Sequence, residues 1–319
     1  MNAADAFRSA ILAALGAAPD LIEPGRIHRF STSGRSIDKA GWCQLFEDGR
    51  AGVFGDFRSR MSAVWTAQRR ELMTPAERAD MARQLAQSKA QREAKQRQQW
   101  ADNAQRNETL WANTLPVSDG DPVSLYLRHR LPLAPGDALA VPDVIRWHPA
   151  LPYWHDDEYV GRWSAMVAAL HSPEGDLVAL HRTWLCTDGS KAPTPGPCKK
   201  LTPAAGPVIG GCIRLVDSAE WSGAVLGIAE GIETALAARQ ASAVPTVAAY
   251  SAGALAGWRW PPALRRIVVF ADADPAGAGA ADKLRQRARK AGLSVSVLTP
   301  STPGMDWADV WSRRAEVME

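Results

Sequence analysis

The C-terminal third of the chain alternates short apolar runs with helical patterns. The apolar runs are VLGIAE at 225–230, TVAAYS at 246–251, RIVVFAD at 266–272 and SVSVLTP at 294–300. Between and after them, the segments containing ALAARQ, ADKLRQRARKAG and ADVWSRRAEV space their apolar residues as a helix does. Near-continuous apolar strands that alternate with helices are typical of a parallel sheet covered on both faces. The pattern therefore predicts an α/β domain over residues 216–319, with a parallel four-stranded sheet and flanking helices.

Upstream of this domain, the pattern changes three times. Residues 1–66 combine a short amphipathic helix with alternating apolar positions around Trp42, Leu45 and Val53, which predicts a small antiparallel sheet. Residues 67–116 contain a helix start at Thr74-Pro75-Ala76-Glu77, and the stretch that follows has no Gly or Pro until Pro116. We expect a long, charged helix or linker there.

Residues 117–215 predict a mixed α+β region. Residues 122–130 (PVSLYLRHR) have a helical pattern, and residues 163–171 and 176–185 have the pattern of two paired strands around a Pro-Glu-Gly turn. The predicted organisation is thus a β-rich segment at 1–66, a charged helix at 67–116, an α+β region at 117–215 and an α/β domain at 216–319.

Composition narrows the class of protein only slightly. The 319 residues are 46% hydrophobic and carry a net charge of +3, a mildly basic balance that permits nucleic-acid contact. The four cysteines form no CxxC pair, which favours reduced thiols and a cytoplasmic protein over a disulfide framework. No apolar run approaches the roughly 20 residues of a membrane span, so we expect no membrane partner.

Acidic residues follow three of the predicted strands. Glu230 ends the first apolar run, Asp272 and Asp274 end the third, and Asp306 and Asp309 follow the fourth. In open parallel sheets the ligand crevice lies beyond the carboxyl ends of the strands, so these carboxylates should converge. Converging carboxylates repel each other unless a cation joins them, and hard oxygen ligands without His or Cys suit Mg²⁺ or Mn²⁺.

Two local features support an anionic ligand at this edge. Residues i and i+2 of an extended segment project the same way, so the Asp272/Asp274 pair is spaced to share an ion or to bridge two. Gly231 leaves room beside Glu230, and Pro275 starts a helix whose amides face the same place. A single acid at a strand end more often caps a helix. The prediction of a metal site therefore rests on three acidic clusters, each of which follows a predicted strand.

These motifs resemble the Toprim domain. The strings EGIETALAA, VVFADADPAGAGAADKL and GMDWADV are similar to the Toprim branch of phage- and plasmid-type DNA primases, over residues 219–313. More weakly, IHRF, GVFGDFRS, SLYLRHRLPL and ALHRTWL resemble the upstream regions of such mobile-element proteins.

The resemblance implies a role for each matching acid. Glu230 corresponds to the Toprim glutamate, in acid/base catalysis or metal ligation, and Asp272 and Asp274 correspond to the metal-binding pair. Asp306 or Asp309 completes the site. Glu233, in the EGIET string, either supports the site or faces solvent.

The implied function is a DNA primase-type nucleotidyltransferase. It would use a single-stranded DNA template, ribonucleoside triphosphates, Mg²⁺ or Mn²⁺ and a separate replicative helicase, because the chain has no GxxxxGK[ST] loop. It also lacks the paired cysteines of a zinc ribbon. A metal-dependent nuclease and a non-catalytic nucleic-acid-binding accessory protein remain alternatives. The candidate cations for template and nucleotide are Arg182, Lys191, Lys199, Lys200, Arg265, Arg266 and Arg285.

Overall fold

The structure is a computed structural model that describes residues 2–35, 38–59, 61–68, 73–131 and 139–318, with side chains described as far as residue 313. The chain divides into two compact units, Met1–Arg97 and Gln98–Glu319. The four predicted domain ranges stay a prediction beside this coarser division. Among the described residues, no helix is both long and apolar enough to cross a membrane.

The first unit is built on the antiparallel sheet that the sequence predicts. Its helix α1 spans Ala3–Leu15, and its strands are β1 (Ile27–Phe30), β2 (Gly41–Leu45), β3 (Ala51–Asp56) and β4 (Met61–Thr66), hydrogen-bonded in that order. Phe7 and Ile11 of α1 are fully buried in one cluster with Leu45 and Phe54 of the sheet. Strands β2 and β3 are buried at every position, because Trp42 and Val53 pack in a second hydrophobic cluster. The central strands are therefore covered on both faces, and not only on the face beneath α1.

Helix α2 spans Pro75–Ala112, and its residues belong to both units. At its start, the Glu77 backbone N–H donates to Thr74 Oγ1 at 3.2 Å, and the Thr74 N–H donates to Glu77 Oε2 at 2.8 Å. This reciprocal pair is the capping box expected from the sequence. The helix ends at Ala112, before the strand that contains Pro116.

The second unit contains the remaining elements. The helices are α3 (Pro122–Arg130), α4 (Ser218–Trp221), α5 (Ile232–Ser242), α6 (Ala252–Gly257), α7 (Pro275–Lys290) and α8 (Trp307–Met318). The strands are β5 (Leu115–Pro116), β6 (Ile145–His155), β7 (Glu158–His171), β8 (Leu177–Leu185), β9 (Lys199–Leu201), β10 (Cys212–Ile213), β11 (Val225–Ala229), β12 (Thr246–Ala248), β13 (Arg266–Phe270) and β14 (Ser294–Leu298).

These strands form one ten-stranded sheet. The order β14-β13-β11-β12 is parallel throughout, and β10 joins β12 to β7 by antiparallel pairing on both sides. Strands β6, β7, β8 and β9 are antiparallel, including the predicted β7–β8 pair. The sheet thus crosses the predicted boundary at residue 215.

Helices cover both faces of the parallel part, as the continuous apolar runs predict. One hydrophobic cluster joins α5 and α8 to the sheet through Ala235 and Ala308, and the other joins α6 and α7 through Leu255 and Leu284. The predicted α/β domain at the C-terminus is therefore confirmed. Because helices cover both faces of the sheet, a ligand is expected to bind at the edge beyond the carboxyl ends of the strands.

Candidate active site

The chain order of the parallel strands fixes where a crevice forms. Strand β11 lies between β12 and β13, and the chain leaves the neighbouring strands β11 and β13 in opposite directions, to β12 and to β14. This is the topological switch point at which open α/β sheets bind ligands. Ala229 pairs with Phe270 at the last register position of β11 and β13. Glu230 follows the first of these strand ends directly, and Asp272 comes two residues after the second.

Backbone hydrogen bonds bring the loop after β14 to the same place. The Ala271 N–H donates to the Leu298 carbonyl at 2.9 Å, and the Ala273 N–H donates to the Met305 carbonyl at 2.9 Å. The Gly304 N–H returns to the Ala273 carbonyl at 2.7 Å. The segment that carries Asp272 and Asp274 therefore lies alongside the segment that leads to Asp306.

Asp272 is the most perturbed acid of this group. Its Oδ1 atom is buried and has no hydrogen-bond partner among the described residues. Burial is the largest cause that raises its pKa, and the negative charges of Glu230, Asp306 and Asp274 add to it, which brings the pKa to about 7. Carboxylates from separate loops are thus close enough to oppose one another's ionisation.

Glu230 is half-buried at the end of β11. Burial and the negative charge of Asp274 raise its pKa, while the Ala252 backbone N–H and the Lys199 ammonium act in the opposite direction. A carboxylate with a raised pKa at a crevice is suited to accept a proton or to bind a cation. Gly231 begins α5 beside it as the N-cap residue.

Asp274 is exposed and caps helix α7. The Gly277 N–H donates to Asp274 Oδ1 at 2.6 Å, in the helix start that the sequence predicts. A Cβ added to Gly277 would lie 2.7 Å from the Asp272 carbonyl oxygen, so only glycine lets the chain turn this tightly. In this structure one oxygen of Asp274 is used by the helix.

Asp306 and Asp309 cap helix α8 and bind the same arginine. The Asp309 N–H donates to Asp306 Oδ1 at 2.8 Å, and the Asp306 N–H donates to Asp309 Oδ2 at 3.2 Å. Arg130 of α3 donates from Nη2 to Asp306 Oδ2 and from Nη1 to Asp309 Oδ1, each at 3.1 Å. Both acids stand at the predicted edge, and both are held by a cation of the chain itself.

Glu233 is buried and does not face solvent. Its Oε1 accepts hydrogen bonds from the Tyr126 hydroxyl and, at 2.8 Å, from Lys199 Nζ. Burial acts to raise its pKa, but Lys199 and Tyr126 outweigh burial and hold that pKa at about 2. Glu233 therefore works as an ionised anchor for Lys199, which also lies close enough to Glu230 to lower that residue's pKa.

The candidate cations divide by position. Arg265 and Arg266 lie at the amino end of β13, opposite the acids, and Arg285 pairs with Asp282 in α7. Lys200 donates to the Trp154 carbonyl at 2.6 Å, and the mostly buried Arg182 donates to the Leu201 carbonyl at 2.7 Å. The backbone of Lys191 forms an isolated antiparallel β-bridge with that of Leu185. Of the seven candidates, Lys199 is the one whose charge acts on Glu230.

Sequence reasoning missed Tyr126 and Arg130. Both lie on α3, four residues apart, and their partners are more than a hundred positions away in the chain. The only sequence signal for these two residues is the string SLYLRHRLPL, which weakly resembles the upstream regions of mobile-element proteins and gives no side chain a role.

The donor chemistry at this edge fits a hard divalent cation. The buried, unpartnered Asp272 oxygen and the mutually opposed acids are what an oxygen-liganded ion would stabilise, and neither His nor Cys is among them. Within the described residues, no three His, Cys, Asp or Glu side chains are grouped so as to hold one metal ion. The contacts above already use oxygens of Asp274, Asp306 and Asp309.

Comparison with known proteins yields two family matches. Residues 101–215 match a domain of unknown function, DUF7146, and residues 225–316 match the Toprim domain. No curated protein sequence matches the chain.

Several solved primase structures are similar to parts of the chain. A DNA primase domain from Pseudomonas aeruginosa is 17% identical with a TM-score of 0.36, and the match covers 53% of this chain and 56% of that one. The primase fragment of the bacteriophage T7 primase-helicase is 16% identical with a TM-score of 0.35, over 53% of this chain and 64% of that one. The DnaG primase catalytic domain bound to ssDNA is 15% identical with a TM-score of 0.47, over 70% of this chain and 81% of that one. The chain thus spans less than two thirds of the length of the first two. The chain is thus similar to the Toprim domain over residues 225–316, and the solved structures to which parts of it are similar are DNA primase domains.

Proposed function

We propose that this protein is a DNA primase-type nucleotidyltransferase that synthesises primers on single-stranded DNA with Mg²⁺ or Mn²⁺ at its Toprim site. One observation carries the proposal. Asp272, with a buried oxygen that lacks a described partner and a pKa near 7, stands beside Glu230 at the switch point of the parallel sheet. An uncompensated carboxylate in that position is expected where a ligand supplies positive charge.

The residues that would hold the metal are Glu230, Asp272, Asp274, Asp306 and Asp309. When bound, divalent ions lower the pKa of an attacking 3′-hydroxyl and neutralise charge on a leaving pyrophosphate. Glu230 is the proposed proton acceptor, because burial and the charge of Asp274 raise its pKa and so make the carboxylate a stronger base. Lys199, fixed by the buried Glu233, places a positive charge next to Glu230.

The wider setting is also proposed. Ribonucleoside triphosphates are the expected substrates, and a separate replicative helicase is the expected partner. The quoted motifs favour replication of a phage, plasmid or other mobile element. The four cysteines are free thiols, which favours a cytoplasmic protein.

A primer-synthesis assay tests the function. The full chain is incubated with several single-stranded DNA templates, labelled ribonucleotides and Mg²⁺, and labelled oligoribonucleotides are the expected product. The double variant Asp272→Ala/Asp274→Ala should abolish synthesis. Asp282→Ala, which removes an exposed acid of α7 paired with Arg285, should keep it.

Two results would contradict the proposal. Shortened DNA without oligoribonucleotides would indicate a nuclease that uses the same acids to activate water. Unchanged behaviour of the double variant in every assay, including stabilisation by Mg²⁺ against heat, would indicate a binding protein without catalysis.

A further inference from the structure

Helix α3 presents two polar side chains to the acids of the Toprim domain. Tyr126 and Arg130 are four residues apart, so they lie on one face of the helix. Tyr126 reaches the buried Glu233, while Arg130 reaches Asp306 and Asp309. The body of α3 is fixed independently of Arg130, because Val123 and Leu127 are fully buried. The guanidinium of Arg130 can therefore move without displacing the helix.

The hydrogen bonds at Asp306 and Asp309 use every oxygen of both carboxylates. One oxygen of each accepts a backbone N–H at the start of α8, and the other accepts a guanidinium N–H of Arg130. The backbone bonds are local and belong to the helix cap. The bonds from Arg130 join residues 176 and 179 positions apart. An ion that binds either acid without disturbing the cap of α8 binds the oxygen that already accepts a hydrogen bond from Arg130.

Arg130 also supplies the charge that such an ion would supply. The side chains of Arg130, Asp306 and Asp309 are 34%, 25% and 36% exposed, so the pair is partly shielded from water. A guanidinium bound to two carboxylates offsets their mutual repulsion, as a divalent cation would. A divalent ion at the same oxygens would lie beside the guanidinium, and the repulsion between the two cations favours the withdrawal of Arg130.

We propose that Arg130 is an internal counter-ion, which holds Asp306 and Asp309 while no divalent ion is bound and withdraws when either carboxylate ligates one. This inference rests on the proposed metal-dependent function. It assigns to the region before the Toprim domain a direct role in how tightly the acidic site binds its ion.

Manganese titration measures the competition. The full chain is titrated with Mn²⁺, and free Mn²⁺ is followed by electron paramagnetic resonance. Arg130→Gln removes the competing charge and should lower the apparent Kd at least tenfold. Arg130→Lys keeps the positive charge but lacks the planar guanidinium that bonds both acids. Its Kd for Mn²⁺ should therefore lie between those of the unmodified chain and Arg130→Gln.

Arg128→Gln is the matched control. Arg128 lies on the same helix and pairs with Asp119, whose side chain is 83% exposed. Its loss removes the same formal charge from α3 without freeing a Toprim acid, so the Kd should change less than twofold. Equal tightening by Arg128→Gln and Arg130→Gln would overturn the proposal in favour of a general charge effect.

A measurement on the unmodified protein guards against a variant that fails to fold. The side-chain Nε–H signal of Arg130 in a nitrogen-15 NMR spectrum, assigned by its loss in Arg130→Lys, should shift when Mg²⁺ is added. An unshifted signal at saturating Mg²⁺ would refute the displacement of Arg130.

The outcomes separate this inference from the function on which it rests. If Mn²⁺ binds and Asp272→Asn weakens it, but Arg130→Gln binds equally or more weakly, only the counter-ion role is wrong. If neither the unmodified chain nor Arg130→Gln binds Mn²⁺, the metal-dependent function and the counter-ion role are both wrong.

Discussion

Replacing Lys199 by Met should destabilise the second unit. The change removes the ammonium that donates to Glu233 Oε1 at 2.8 Å and leaves the methylene stem in place. The Glu233 side chain is only 5% exposed, so water cannot take over the lost interaction. The Tyr126 hydroxyl would remain as a neutral donor to the carboxylate.

The expected loss follows from the burial of the pair. Removing one partner of a buried ion pair costs about 3–5 kcal/mol. The Lys199 side chain is itself 36% exposed, so we expect a smaller loss of about 2–4 kcal/mol at pH 7. Glu233 has a folded pKa of about 2, below the ordinary 4.5, so the pair contributes stability above pH 4.5 that is lost as the pH falls towards 2. The deficit of Lys199→Met should therefore be complete above pH 4.5 and shrink as the pH falls from 4.5 towards 2.

Urea unfolding followed by tryptophan fluorescence measures this loss, because most of the 13 tryptophans lie in residues 98–319. Lys200→Met is the control: Lys200 donates to a backbone carbonyl at the surface, and its loss should cost about 1 kcal/mol or less. Adding Glu233→Gln to Lys199→Met should restore at least half of the loss, since the buried charge is then gone. The reasoning is refuted if both lysine variants lose the same amount, or if the deficit of Lys199→Met is as large at pH 3 as at pH 7.

Three further predictions concern the acidic edge. Asp272 has a folded pKa raised from 3.8 to about 7, so the stability that it contributes below pH 4 is lost as the pH rises through 7. Discounted for its partial exposure, the free energy of unfolding in urea should fall by about 1–2 kcal/mol over this range, and Asp272→Asn should remove the fall. Mg²⁺ should raise the melting temperature more at pH 8 than at pH 6, because protons compete for Asp272 at the lower pH; an equal shift measured by calorimetry would argue against Asp272 as a ligand. Gly277→Ala should cost about 2 kcal/mol or more in urea unfolding, because its Cβ meets the Asp272 carbonyl at 2.7 Å, whereas Gly279→Ala, with open space around it, should stabilise α7 by about 0.5–1 kcal/mol.

The strands and their terminal acids were accessible from sequence because their causes are local. Runs such as RIVVF are buried on both faces, and an acid directly after a strand can only lie at the carboxyl edge of the sheet. Asp274-Pro275 likewise carries its own helix start, with the cap residue and the proline adjacent.

The partners of those acids were not accessible, because they depend on the packing of distant elements. Glu233 lies 107 positions from Tyr126, and the sequence pattern of α3 gives no sign of which face meets α5. Strand β10 was also missed, since its two residues are too short to show a period. The spacing of Glu233 from Glu230 does not predict its burial for the same reason, because that burial depends on how helix α5 packs.

The junction at β10 has a practical consequence for dividing the protein. Strand β10 (Cys212–Ile213) pairs with β7 on one side and with β12 on the other. A fragment beginning at residue 216 would therefore leave β12 as a bare edge with unpaired backbone groups. Such an edge recruits other chains, and the isolated fragment is expected to aggregate. Expression trials should therefore keep residues 98–319 intact.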